Sequence, residues 1–202
     1  FVDISGGLHA SEVAGAQHTI QLGYDLARAE DPKTMAILDN TVLFLWPSIN
    51  PDGQNIVVNW YRENVGTPYE VSPLHELYQK YIGHDNNRDA YMLNVVESRV
   101  VTRVWRHWEP QIIYVQHQTS PFPARIWLPP FAEPIAPRVP ALMSRQVNTI
   151  GMTIAQALES KGQVGATQMG TGFDAWYPGY IDYMPMLQNI NAYWTETALY
   201  RY

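Results

Sequence analysis

The chain has 202 residues, 46% of them hydrophobic and 16% charged, enough apolar material for a sizeable core and too little charge for a disordered segment. A net charge of -6 with no basic stripe argues against a nucleic-acid binder. The lack of cysteine excludes a disulfide framework, a thiol nucleophile and any thiolate-bound metal. No apolar run approaches the roughly 18 residues that span a bilayer.

In chain order, Phe1–Gly6 alternates as a strand and ends in Gly6-Gly7. Ala10–Arg28 follows as a helix, with Val13, Ile20, Tyr24 and Ala27 on its apolar face. Asp31-Pro32 is an N-cap followed by proline at the first helical position, opening a short helix to Leu38. Thr41–Trp46 is a continuous apolar run, as in a strand buried on both faces. Asn50-Pro51-Asp52-Gly53 carries turn residues, and Gln54–Tyr91 reads as loop with one short helix over Leu74–Tyr81. Leu93, Val96, Val100, Val104 and Trp108 mark a strong helix closed by Pro110. Gln111–Val115 is a second buried strand. Ser120–Pro140 holds seven of the 15 prolines and reads as an irregular surface excursion. Leu142, Ile150, Ile154 and Leu158 mark a further helix ended by Gly162, and Asn191–Leu199 is a final strand. Strands alternating with amphipathic helices imply one α/β layered domain. The start at Phe1, without methionine and already in a strand, suggests a piece of a longer chain.

In such folds sites form at the carboxyl ends of the strands. Four polar groups fall there. His9 and Glu12, three apart after the first strand, can reach one ion; the plainer alternative is a helix-start histidine beside a glutamate favoured by the helix dipole. His117, just after the second buried strand, would complete a two-histidine, one-glutamate set of the kind that leaves a zinc position open for water. Glu196 lies within an otherwise apolar strand, where a carboxylate is costly unless paired or functional. His84-Asp85-Asn86-Asn87-Arg88-Asp89 is dense in hydrogen-bonding groups, with Arg62 earlier in the same stretch.

The order His9-x-x-Glu12, Asn50-Pro51-Asp52-Gly53, Asp85-Asn86-Asn87-Arg88, His117, Glu196 resembles the carboxypeptidase A-like zinc metallopeptidases, and within them the bacterial secreted branch with large multidomain precursors. The resemblance runs across the chain and implies a three-layer α/β/α sandwich with a mixed, mainly parallel sheet, here without the strands that usually precede the first zinc histidine. Residues 1–202 would form one zinc carboxypeptidase-like catalytic domain. It implies one zinc ion held by His9, Glu12 and His117, and Glu196 as the catalytic glutamate that activates water. Arg62 would polarise the scissile carbonyl, while Asn87 and Arg88 would grip the substrate's terminal carboxylate. Tyr177 would cap the substrate, with Tyr180 as the alternative, and Asp85 would orient the first zinc histidine. Ser11 stands where pancreatic members carry an arginine. The implied partner is a peptide with a free C-terminal carboxylate, and the implied location is periplasmic or extracellular. A zinc amide deacylase or cell-wall peptide hydrolase on the same scaffold, and a non-catalytic binding module, are the alternatives.

Overall fold

A computed structural model describes residues 1–119, 124–170 and 172–199. The elements run β1 (Val2–Ser5), α1 (Val13–Ala27), α2 (Pro32–Asn40), β2 (Leu43–Trp46), α3 (Pro51–Asn64), α4 (Val96–Trp108), β3 (Ile112–Thr119), β4 (Ile126–Trp127), β5 (Ala132–Ile135), α5 (Ala141–Glu159), β6 (Ala166–Thr167), β7 (Asp174–Ala175) and β8 (Asn191–Ala198). Short 3-10 turns cover Asn86–Arg88 and Met184–Gln188.

Six strands form one sheet in the order β2-β1-β3-β8-β4-β6. All pairs are parallel except β4 against β8, so the sheet is mixed and mainly parallel, as the resemblance implies. β5 and β7 pair separately. Alternation along the central strands assigns their two faces. In the β3–β8 register Ile113 pairs with Ala192, Val115 with Trp194 and His117 with Glu196, so these six share one face. That face carries the main core, where Ile113, Val115 and Trp194 pack with Val101 and Trp105 of α4 and Met143 and Val147 of α5. The opposite face carries Tyr114, stacked on Tyr193, and Gln116, against which α1 packs. Helices on both faces give the three layers.

Several elements differ from the sequence reading. Asn50-Pro51-Asp52-Gly53 begins a helix: the Asn50 side chain accepts the Gly53 N–H at 2.9 Å as an N-cap, and Pro51 occupies the first helical position. No helix forms over Leu74–Tyr81. The polar groups there serve the neighbouring loops instead, with the Tyr78 carbonyl accepting from Asn50 and the Gln79 amide donating to Asn86. Leu93 is left-handed and stands outside α4; the buried Asp89 carboxylate accepts from the N–H groups of Asn94 and Val95 just ahead of that helix. β2 is half-buried rather than buried on both faces, being an outer strand of the sheet among the described residues. The proline-rich stretch contains β4 and β5; its residues 120–123 lie outside the described residues.

The packed helix faces also move. α1 buries Gly15, Ala16 and Thr19, leaving Val13, Ile20 and Tyr24 exposed. The cause is close approach: a Cβ on Gly6 would lie 2.3 Å from the Gly15 carbonyl carbon, so only glycine lets α1 rest on the end of β1. α4 packs through Ser98, Val101 and Trp105, with Val96, Val100 and Trp108 exposed. Among the described residues no helix is long and apolar enough to cross a membrane.

Candidate metal centre and cleft

β1, β3 and β8 are parallel neighbours, so their carboxyl ends deliver residues to one edge of the sheet. His9 and Glu12 lie on the turn between β1 and α1, where the Glu12 N–H donates to the His9 carbonyl. His117 lies within β3, which continues to Thr119 rather than stopping at Val115, and Glu196 sits beside it on β8.

The side chains of His9, Glu12 and His117 converge. His9 Nδ1 is 2.8 Å from Glu12 Oε1, His117 Nδ1 is 3.0 Å from Glu12 Oε2, and the two Nδ1 atoms are 3.2 Å apart. Each histidine is held from behind. His9 Nε2 donates to Asp85 Oδ1 at 3.0 Å, and His117 Nε2 donates to Asp182 Oδ2 at 2.8 Å. With the protons fixed at Nε2, both neutral rings turn an Nδ1 lone pair toward the same point. Two lone pairs and a carboxylate facing one another call for a cation or a shared proton. A tetrahedral zinc ion with bonds of about 2.1 Å holds its ligand atoms roughly 3.4 Å apart, so these groups, at 2.8–3.2 Å, would open by a few tenths of an ångström to hold one.

The charges agree with this arrangement. Burial would raise the Glu12 pKa, but hydrogen bonds from His117 and His9 outweigh it and hold the carboxyl at about 2. Burial works the same way on Asp85, and the hydrogen bond from His9 leads the effects that hold it at about 2. Burial would lower both histidines, yet their carboxylate partners leave them raised, His117 well above the ordinary imidazole range. Glu196 goes the other way: burial pushes it up to about 7, with the His117 charge opposing and Glu12 and Asp182 adding to the rise.

A cleft of about 110 Å³ opens beside this cluster, its wall including His9, His117, Glu196, Arg88, Tyr180 and Trp194. Arg88 stacks over the Tyr180 ring at 4.6 Å and reaches the Asp85 carboxylate at 3.6 Å. Asn87 is on the wall, but both ends of its carboxamide are engaged: Nδ2 donates to Asp182 and Oδ1 accepts the Ile181 N–H.

Arg62, Tyr177 and His84 are not on the cleft wall. Arg62 lies exposed in the last turn of α3. That helix starts near the site, where the Asn50 N–H donates to the Gly7 carbonyl, and its rise carries Arg62 about 16 Å along the axis from Pro51. Tyr177 folds over its own turn, near enough to Gly179 that a Cβ there would strike its ring, and packs edge-on against Tyr91 and Tyr180. Tyr180 is the tyrosine on the cleft wall. His84 donates to Asp89 and is also absent from the wall.

Asp182 escaped the sequence reading. Its signal was a carboxylate between Ile181 and Tyr183, the same argument of a costly buried acid that singled out Glu196.

The family model for zinc carboxypeptidases matches residues 2–122, more than half of the chain. The chain belongs to the zinc carboxypeptidase family. The matched stretch of this zinc carboxypeptidase relative contains His9, Glu12, Asp85, Arg88 and His117, while Asp182 and Glu196 lie beyond it. No curated protein matches the chain. Among solved structures, thrombin activatable fibrinolysis inhibitor superposes with a TM-score of 0.67 at 14% identity, over 99% of this chain and 56% of that one. A metallo-carboxypeptidase from Burkholderia cenocepacia gives 0.66 at 14% identity, over 98% of this chain and 47% of that one. The chain thus spans about half the length of these structures, and at such identity the likeness concerns the fold.

Proposed function

We propose that the chain carries a zinc-dependent peptidase site that hydrolyses the last peptide bond of a substrate with a free C-terminal carboxylate. The observation that carries this reading is the convergence of His9 Nδ1, His117 Nδ1 and Glu12, with Glu196 next to His117 and Arg88 on the same cleft wall. His9, Glu12 and His117 would hold one zinc ion, which when bound supplies a Lewis acid that acidifies water and polarises a carbonyl.

The chain's own groups divide the remaining work. Arg88, with donors left over from its contacts to Asp85 and the Asn87 carbonyl, pairs with the substrate's terminal carboxylate and sets its direction in the cleft. Asn87 holds Asp182, which in turn orients His117. Glu196 takes a proton from the attacking water as its oxygen bonds to the carbonyl carbon. As the C–N bond breaks, the same carboxyl returns that proton to the departing nitrogen. A carboxyl near 7 is suited to both transfers. Tyr180, rather than Tyr177, is positioned to cover the bound residue. A periplasmic or extracellular location belongs to this reading through the sequence resemblance; a native precursor without an export signal would contradict it.

The test is to incubate the zinc-loaded chain with a defined peptide mixture and follow products by mass spectrometry, with and without chelator. Single-residue losses from the C-terminus, abolished by chelator, are expected. Glu196→Gln should lower kcat by at least about a hundredfold while zinc content stays at one ion. Loss of zinc in that variant would make Glu196 structural. Release of acyl groups from N-acyl amino acids, with peptides untouched, would replace the peptidase reading by the deacylase.

A further inference from the structure

α1 begins without a cap of its own. Glu12 holds the N-cap position, where a side chain ordinarily accepts an N–H of the first turn, yet its carboxylate accepts none from the helix. It is turned to the histidines instead, with Oε1 2.8 Å from His9 Nδ1 and Oε2 3.0 Å from His117 Nδ1. The missing acceptor comes from another element. Gln118 of β3 accepts the N–H of Ala14, the second residue of α1, through Oε1 at 2.8 Å. That N–H is one an N-cap side chain serves, so the carboxamide does from the sheet what residue 12 does in other helices.

The same residue also holds Glu12 directly, its backbone N–H donating to Glu12 Oε2 at 3.0 Å. Its Nε2 points the other way, 3.4 Å from the Ala198 carbonyl, two residues past Glu196 on β8. Gln118 thus touches both the helix that carries a candidate ligand and the strand that carries Glu196. One turn further along α1 a second glutamine repeats the contact. Gln116 lies on the same face of β3, and its Oε1 is 2.8 Å from His18 Nδ1. Two residues along a strand and four along a helix advance by similar lengths, roughly 7 and 6 Å, so the two glutamines grip α1 along one line.

We propose that Gln118 is a positioning residue for the metal centre: by capping α1 from β3, its carboxamide leaves the Glu12 carboxylate free to serve as a ligand. This rests on the zinc reading above. A glutamate that capped its own helix would fold back over the first turn and away from His117. An uncapped helix start would fray, with Glu12 on it. The Oε1 acceptor carries the role, and the Nε2 contact ties the helix start to the end of β8.

The test uses the whole chain with two substitutions. Gln118→Met keeps the length of the side chain and removes the amide, whereas Gln118→Glu keeps an acceptor for Ala14 and removes the donor to Ala198. Zinc affinity, read by competition with a chromogenic chelator, should fall at least about tenfold in Gln118→Met. In Gln118→Glu it should stay within about threefold of the parent, or rise above it. An unchanged affinity in Gln118→Met, or an equal fall in both variants, would overturn the proposal. Amide exchange of the metal-free chain reads the cap itself and needs neither metal nor turnover. The Ala14 N–H should exchange slowly in the parent and in Gln118→Glu, and at least about tenfold faster in Gln118→Met. An Ala14 amide that exchanges at the rate of an open chain in the folded parent would overturn the proposal even where a variant fails to fold. Protection of Ala14 that follows the acceptor, in a chain that holds no zinc, would support the cap and count against the zinc reading alone.

Discussion

His9 and His117 point their Nδ1 atoms at one another because each ring is pinned from the far side, by Asp85 and Asp182. Losing either carboxylate frees a ring to rotate or to carry its proton on the wrong nitrogen. Asp182→Ala should therefore weaken zinc binding by about 10–100-fold, read by competition with a chromogenic chelator. Unchanged affinity would show that β3 alone fixes the His117 ring. Glu196 invites a second measurement at this scale. In the role proposed for it Glu196 would act ionised, and burial raises its pKa to about 7, so kcat/KM should climb with pH along an acid limb. A bound dication would reinforce the lowering effect of His117, which puts the limb at or below 7. A profile still rising steeply at pH 8 would assign that limb to another group.

Elements bring these residues together, and here small residues decide more than large ones. α1 rests on β1 through Gly6 and Gly15, and its N-terminal end carries Glu12. In Gly6→Ala the new Cβ meets backbone, which cannot rotate away, so α1 must shift bodily. A stability loss of about 3 kcal/mol is expected, at the upper end for overpacking, with weaker zinc binding because Glu12 moves with the helix. Equilibrium denaturation and chelator competition on the same variant check both. The same contact explains what the sequence could and could not convey. The alternation in β1, the apolar runs of β2 and β3 and the Asp31-Pro32 cap are local signals, and each led to its element. The buried face of α1 is not local: Val13, Ile20 and Tyr24 look like a core stripe until the glycine contact turns Gly15 and Thr19 inward. Asn50-Pro51 repeats the Asp31-Pro32 signature, yet the following Asp52-Gly53 made it read as a turn, and with α3 unseen Arg62 could be imagined beside the site. That His9, Glu12, His117 and Glu196 come together was legible because strand ends are where this fold gathers its polar side chains. Asp182 was not, because its bond to His117 spans 65 residues and belongs to no strand end.

At the scale of the whole molecule, the same sheet that delivers the cleft residues from one edge carries an ionisable group in its middle. Asp3 of β1 has no exposed surface and pairs in register with Phe44 on one side and Ile113 on the other. Burial pushes its pKa up to about 6, and the hydrogen bond from Trp46 Nε1 at 2.7 Å offsets only part of that rise. A carboxyl whose folded value exceeds its unfolded value of 3.8 favours the folded state only while protonated. Well below pH 3.8 both states hold the proton and nothing is lost. Between pH 4 and 6 the unfolded chain ionises first and folding stability falls. Above pH 6 the full penalty applies, on the order of 3 kcal/mol for a difference of this size. Asp3→Asn keeps an acceptor for Trp46 and removes the titration. Urea denaturation of both proteins in excess chelator lets the metal drop out of the comparison, and the histidine cluster, present in both, cancels. The variant should be more stable by about 2–3 kcal/mol at pH 8 and close to the parent at about pH 2.5, where both states of Asp3 are protonated. An equal gain at both values would mean that amide packing, not the buried charge, had been relieved. Across the neutral range, then, the centre of the sheet gives up part of its stability to hold one carboxyl beneath Trp46.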